Sequence, residues 1–149
     1  MSRPVVILIG HCPPDGFDEL LCPIVESVVR KYLHKPSQFL KAFRDAEILD
    51  LAANNEIDLF LLILNNICFP EKSGATWMEY VADLIRYLKA VYNKPIIGLT
   101  TLAKEFRAKT NGISLDYLIP LPLKAEELEA AIREFVRLES RRVPYDKQE

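Results

Sequence analysis

His11, Cys12 and Cys68 are the residues whose types can do metal or thiol chemistry. A histidine and two thiols brought to one place can hold zinc or run thiolate reactions. The set lacks a fourth ligand and has no zinc-finger spacing, and a cysteine near a strand end is more often a small buried hydrophobe, so no metal is expected. Two amides, Asn65 and Asn66, close the most apolar run of the chain, Ile57-Asp58-Leu59-Phe60-Leu61-Leu62-Ile63-Leu64. Amides hydrogen-bond a ligand or satisfy backbone groups, but they are not bases, nucleophiles or strong cation ligands. Thr100 and Thr101 end a second apolar run.

The elements that must position these residues follow from hydrophobic periodicity. The run from Ile57 reads as a strand buried on both faces, hence the central strand of a sheet. Val5 to Ile9 is another interior strand, followed by the loop Gly10-His11-Cys12-Pro13-Pro14-Asp15-Gly16. A first helix carries an inward stripe of Phe17, Leu20, Leu21, Ile24, Val25, Val28 and Tyr32, with Cys22 beside it, and ends near Leu33. Its end holds Arg30, Lys31, His34 and Lys35, where positive charge suits the helix dipole. Ser37 to Phe43 reads as an edge strand. Asp45 caps a short helix bearing Ile48, Leu49 and Ala52, which stops at Asn54-Asn55.

Thr76 opens the next helix, with Trp77, Tyr80, Val81, Leu84, Leu88 and Val91 on one face, and Lys94 to Thr100 is the fourth strand. A weak helix from Leu102 to Lys109 stops at Asn111-Gly112, a fifth strand runs from Leu115 to Ile119, and a last helix from Lys124 to Arg141 buries Leu128, Ala131, Ile132, Phe135 and Val136. Arg133, Arg137, Arg141 and Arg142 read as its solvated face. Five alternations of strand and helix are the pattern of a flavodoxin-like, doubly wound α/β fold with a parallel sheet in the order 2-1-3-4-5 and helices on both faces. That order gathers His11, Cys12, Asn65, Asn66, Cys68, Thr100 and Thr101 around one crevice at the carboxyl ends of the strands.

The 149 residues suffice for one domain, expected over residues 1–141 with a polar tail over 142–149. Net charge of −2 argues against a nucleic-acid surface, and no segment is apolar for long enough to span a bilayer. The N-terminus lacks the features of a secretory signal, and three cysteines that cannot all pair fit a reducing compartment, so a cytoplasmic protein is expected.

The segments Lys94-Pro95-Ile96-Ile97-Gly98-Leu99-Thr100 and Asp116-Tyr117-Leu118, with Pro122-Leu123-Lys124-Ala125-Glu126-Glu127-Leu128 after the latter, resemble a response-regulator receiver domain. The similarity extends over residues 4 to 140. It equates Thr100 with the family's switch hydroxyl, Tyr117 with its aromatic switch position, and Asn66-Ile67-Cys68-Phe69-Pro70 with the spacing from phosphoacceptor aspartate to proline. The reactive set does not follow. Gly10, His11 and Cys12 stand where receivers hold magnesium-binding acids, and Asn66 (or Asn65) stands at the phosphoacceptor. The family's lysine falls on Pro120 counted from Tyr117 and on Leu121 counted from Pro122.

Aspartyl phosphorylation needs a carboxylate nucleophile and a divalent cation on hard oxygen ligands. The resemblance therefore implies a degenerate pseudo-receiver, not an enzyme and without a cofactor. His11, Cys12, Asn65, Asn66, Thr100 and Leu121 would form a vestigial pocket, and Thr100 with Tyr117 a switch-like pair. Its expected partners are proteins of a two-component type signalling pathway, with a homodimer through Ala103 to Lys109, Leu115 to Ile119 and the last helix. The alternative is a flavodoxin-like binder of cobalamin, flavin or a nucleotide, suggested by the histidine and glycine after the first strand. It lacks an aspartate two residues before His11 and a glycine pair after the fourth strand.

Overall fold

The computed structural model describes residues 4–10, 21–33, 36–42, 44–64, 77–101, 104, 116–120 and 124–147, with side chains described except at 21, 22, 77, 78 and 138–147. Runs of Val, Ile and Leu become the strands β1 (Val5–Gly10), β2 (Ser37–Ala42), β3 (Leu59–Ile63), β4 (Ile96–Thr100) and β5 (Tyr117–Pro120). They form one parallel sheet in the order β2-β1-β3-β4-β5, as the alternation of elements predicts. β3 and β4 are buried along their whole length, as inner strands with both faces covered must be. β2 and β5 lie at the edges and are only partly buried.

The described helices are α1 (Leu21–Leu33), α2 (Asp45–Asn54), α3 (Trp77–Tyr92) and α4 (Ala125–Lys147). Successive strand residues point to opposite faces, so each inner strand feeds two cores. Ile7, Ile9, Leu61 and Leu99 pack with Val25 and Val29 of α1 and with Leu128, Ile132 and Phe135 of α4. Leu8, Phe60, Leu62 and Ile96 pack under Ile48 of α2 and Val81, Ile85 and Leu88 of α3. Each such side chain, fully buried, contributes about 1.5–3 kcal/mol.

Two aspartates set the register at the other end of the sheet from the candidate crevice. The Asp58 N–H donates to Val6 O at 2.8 Å, while the Val6 N–H donates to Asp58 Oδ2 at 2.8 Å. Asp116 repeats the device: its N–H donates to Ile96 O at 3.0 Å, and its Oδ2 accepts the Ile96 N–H at 2.8 Å. Lys89 Nζ reaches the same carboxylate at 2.9 Å, tying the end of α3 to the β4–β5 pair. Each aspartate directly precedes its strand and satisfies a backbone donor that the ladder has not yet paired.

Several expectations are corrected in detail. Ile24 and Val91, placed on inward stripes by spacing, are 48% and 53% exposed. α1 buries the arc of Val25, Val29 and Leu33, and α3 that of Val81, Ile85 and Leu88, which leaves both residues beyond the margin. Arg44, not Asp45, holds the N-cap position of α2 and makes no side-chain cap; Asp45 is the first helical residue. Asn54 and Asn55 close that helix by donating from their side-chain amides to Asp50 O and Leu51 O. β5 begins at Tyr117 because Asp116 is engaged as a clamp, and it ends at Pro120. α4 runs on to Lys147, past the expected end at Arg141, since polar residues such as Glu139, Arg141 and Arg142 are good helix formers and their polarity governs exposure rather than backbone conformation. The expected helix from Leu102 to Lys109 falls largely outside the described residues.

Candidate functional site

All five strands run the same way, so their carboxyl ends form one edge, and the order β2-β1-β3 puts the switch of winding direction between β1 and β3. Along that edge Gly10 stands in register with Ala42 on one side and Leu62 on the other, Ile63 with Leu99, and Thr100 with Pro120. The helices that follow β2 and β3 start at the same edge. There the Tyr80 hydroxyl donates to Asp45 Oδ2, joining the first turn of α3 to that of α2.

Gly10 is the buried end of β1, not the first residue of a loop. A Cβ at this position would lie 2.7 Å from Ile48 Cδ1 and 2.7 Å from Leu62 Cδ2. The floor between the ends of β1 and β3 is therefore closed on the α2 side by packed aliphatic carbon, and glycine is required for that approach. His11, Cys12, Asn65, Asn66, Cys68 and Leu121 lie outside the described residues, as do the loops that carry them. Among the described residues no group of three or more His, Cys, Asp or Glu side chains converges as a metal site.

Thr100 is wholly buried at the end of β4, and Thr101 beside it is exposed. Strand alternation sends Leu99 to the α1–α4 face and Thr100 to the α2–α3 face. Tyr117 packs on the α1–α4 face opposite Ile97, three register steps from the Thr100–Pro120 pair. Thr100 and Tyr117 thus occupy opposite faces and different ends of the β4–β5 ladder, and the structure does not bring them into one pair.

Tyr117 sits instead beside a small apolar depression under α4 that includes Leu59, Ile97, Ala131 and Phe135. Burial pushes its phenol above the ordinary value near 10; Glu134 and Asp116 add to the rise, and Arg137 opposes it. Arg137 and Glu134 form a two-pronged ion pair on α4, with Arg137 Nε donating to Oε2 at 2.9 Å and Nη2 to Oε1. Neither the Tyr80–Asp45 bond nor the packing at Gly10 follows from the sequence. The first has a weak signal, a tyrosine on the inward stripe of α3 opposite an acid opening α2. The second has none, because a glycine after a strand reads as a turn.

Compared as a sequence, the chain matches no protein-family model and no curated protein. Its fold does have counterparts. The signal receiver domain of an HD domain-containing protein from Pseudomonas fluorescens Pf-5 superposes with a TM-score of 0.66 at 19% identity, covering 93% of this chain and 98% of that one. A two-component response regulator from Clostridium difficile gives 0.65 at 18%, over 89% and 96%. The chemotaxis response regulator CheY4 of Vibrio cholerae gives 0.60 at 15%, over 89% and 99%. The sheet order, the crossovers and these superpositions agree that the chain has the receiver-domain fold, the flavodoxin-like arrangement of five parallel strands.

Proposed function

We propose that the protein is a pseudo-receiver, a module that signals by contact with a protein partner and not by phosphorylation. The observation that carries this reading is the receiver fold with Asn65-Asn66 leading out of β3, where a phosphoacceptor carboxylate would stand. An amide oxygen is too weak a nucleophile to take up a phosphoryl group, and a histidine and a thiol after β1 are poor ligands for magnesium. Pro120, in register with Thr100 at the end of β5, has no cationic group to meet a phosphate oxygen.

In this reading Thr100 is a packed residue of the β4 end and not a moving relay. The protein is not an enzyme, and its partner belongs to a signalling pathway. β5 and α4 are the elements through which a homodimer would form. Incubation with magnesium and acetyl phosphate, followed by intact-mass measurement, tests the reading: the mass is expected to stay unchanged, as is the thermal midpoint in beryllofluoride. A stoichiometric phosphoryl adduct that disappears in Asn66→Ala would overturn it.

A further inference from the structure

Away from the sheet edge, the outward side of α1 and the strand next to it carry a distinct chemistry. Ile24 is half-exposed on α1, and Ser27, Arg30 and Lys31 are exposed further along the same side. Arg30 stacks over the ring of Phe39 in β2 at 4.8 Å, and Lys31 over Tyr32 at 5.3 Å. Arg133 of α4 lies over the same Tyr32 ring at 5.3 Å. Cations held on aromatic faces are already ordered, so less side-chain entropy is lost when they bind. A stacked guanidinium also keeps its in-plane N–H groups available to a carboxylate.

Among the described residues the carboxylates of this surface do not match its cations. Glu26 is shared between Lys41 at 2.8 Å and Arg30 at 3.8 Å, and Glu129 pairs with Arg133 at 2.9 Å. Lys31 rests on Tyr32 with no carboxylate within reach among the described residues. Among the described residues this surface therefore carries an excess of positive charge, on a chain whose net charge is −2.

We infer that the outward side of α1, with β2, docks an acidic segment of a partner protein: its carboxylates meet Arg30, Lys31 and Lys41, and an apolar side chain covers Ile24. This deepens the reading of the protein as a contact module, and rests on it, by naming the surface and the chemistry of the partner. A nucleic acid fits less well. A duplex binder neutralises several phosphates at once, beyond so small an excess of charge, and a phosphate backbone has no use for an exposed isoleucine.

The test is fluorescence anisotropy with a labelled peptide of glutamates and interspersed leucines at low ionic strength, with amide chemical shifts to locate it. Saturable binding is expected, with shifts confined to α1 and β2 and weakening as salt is added. Arg30→Glu with Lys31→Glu should weaken it about tenfold. Ile24→Ser should weaken it several-fold, and Arg86→Glu on α3 should leave it unchanged. Lys31→Ala serves if the double variant loses its far-ultraviolet circular dichroism.

Absence of saturable binding overturns the proposal, as does binding that survives the charge reversal or equal affinity for duplex DNA or phosphatidylserine vesicles. A phosphoryl adduct in a protein that still binds the peptide would remove the phosphorylation-independent reading and leave the docking surface. Loss of peptide binding without an adduct would do the reverse.

Discussion

Gly10 and Tyr117 illustrate how far a single residue's role depends on neighbours distant in sequence. Gly10→Ala places a methyl group 2.7 Å from two aliphatic carbons, Ile48 Cδ1 and Leu62 Cδ2, both within a packed core. The substitution should destabilise the fold by about 1–3 kcal/mol, read as a lower denaturant midpoint with an unchanged slope. Tyr117 has its phenol pKa raised in the fold by burial and by Glu134. The neutral phenol is thus the form the fold favours. The associated stability is fully present below pH 10 and is lost as pH rises through the higher folded-state pKa. The difference in tyrosinate absorbance between the protein and its Tyr117→Phe variant should titrate with a midpoint above 10.

At the scale of elements, the two aspartate clamps explain where β3 and β5 begin and how they are aligned. Asp58 is buried and accepts the Val6 N–H, so Asp58→Ala leaves a buried donor unsatisfied and should cost about 1–3 kcal/mol in denaturant unfolding. Asp116 is more exposed, and water can replace part of what its carboxylate does, so Asp116→Ala should cost less than Asp58→Ala. Equal losses would count against the clamp at Asp58. An aspartate immediately before an apolar strand, as in Ile57-Asp58-Leu59 and Leu115-Asp116-Tyr117, is a visible signal of such a clamp. It passes unread when the whole run is taken as strand. Helix phase behaves similarly: Ile24 and Val91 satisfy helical spacing, yet which arc of each helix meets the sheet is decided by the neighbouring helices and the strand ends.

For the whole molecule, continuous apolar runs separated by amphipathic helices point to a parallel sheet with both faces covered, because inner strands that are apolar on both sides must be shielded from water on both. That makes the layered architecture legible in the sequence, and the order β2-β1-β3-β4-β5 is one of the few that such doubly wound sheets use. The residue types Asn65, Asn66, His11 and Cys12 are read directly from the sequence, and none of them supplies a carboxylate nucleophile. Their mutual geometry is not legible, because it depends on loop conformation.

The sequence by itself therefore determined the layering of the fold and the residue types, amide, imidazole and thiol, that follow β1 and β3. Only the tertiary structure decided that Gly10 closes a core, that Thr100 and Tyr117 face opposite sides of the sheet, and that Arg30 and Lys31 stand on aromatic rings. Periodicity reports which residues must leave water, whereas contacts between elements remote in sequence, and the charge balance of a surface, exist only once the chain has folded.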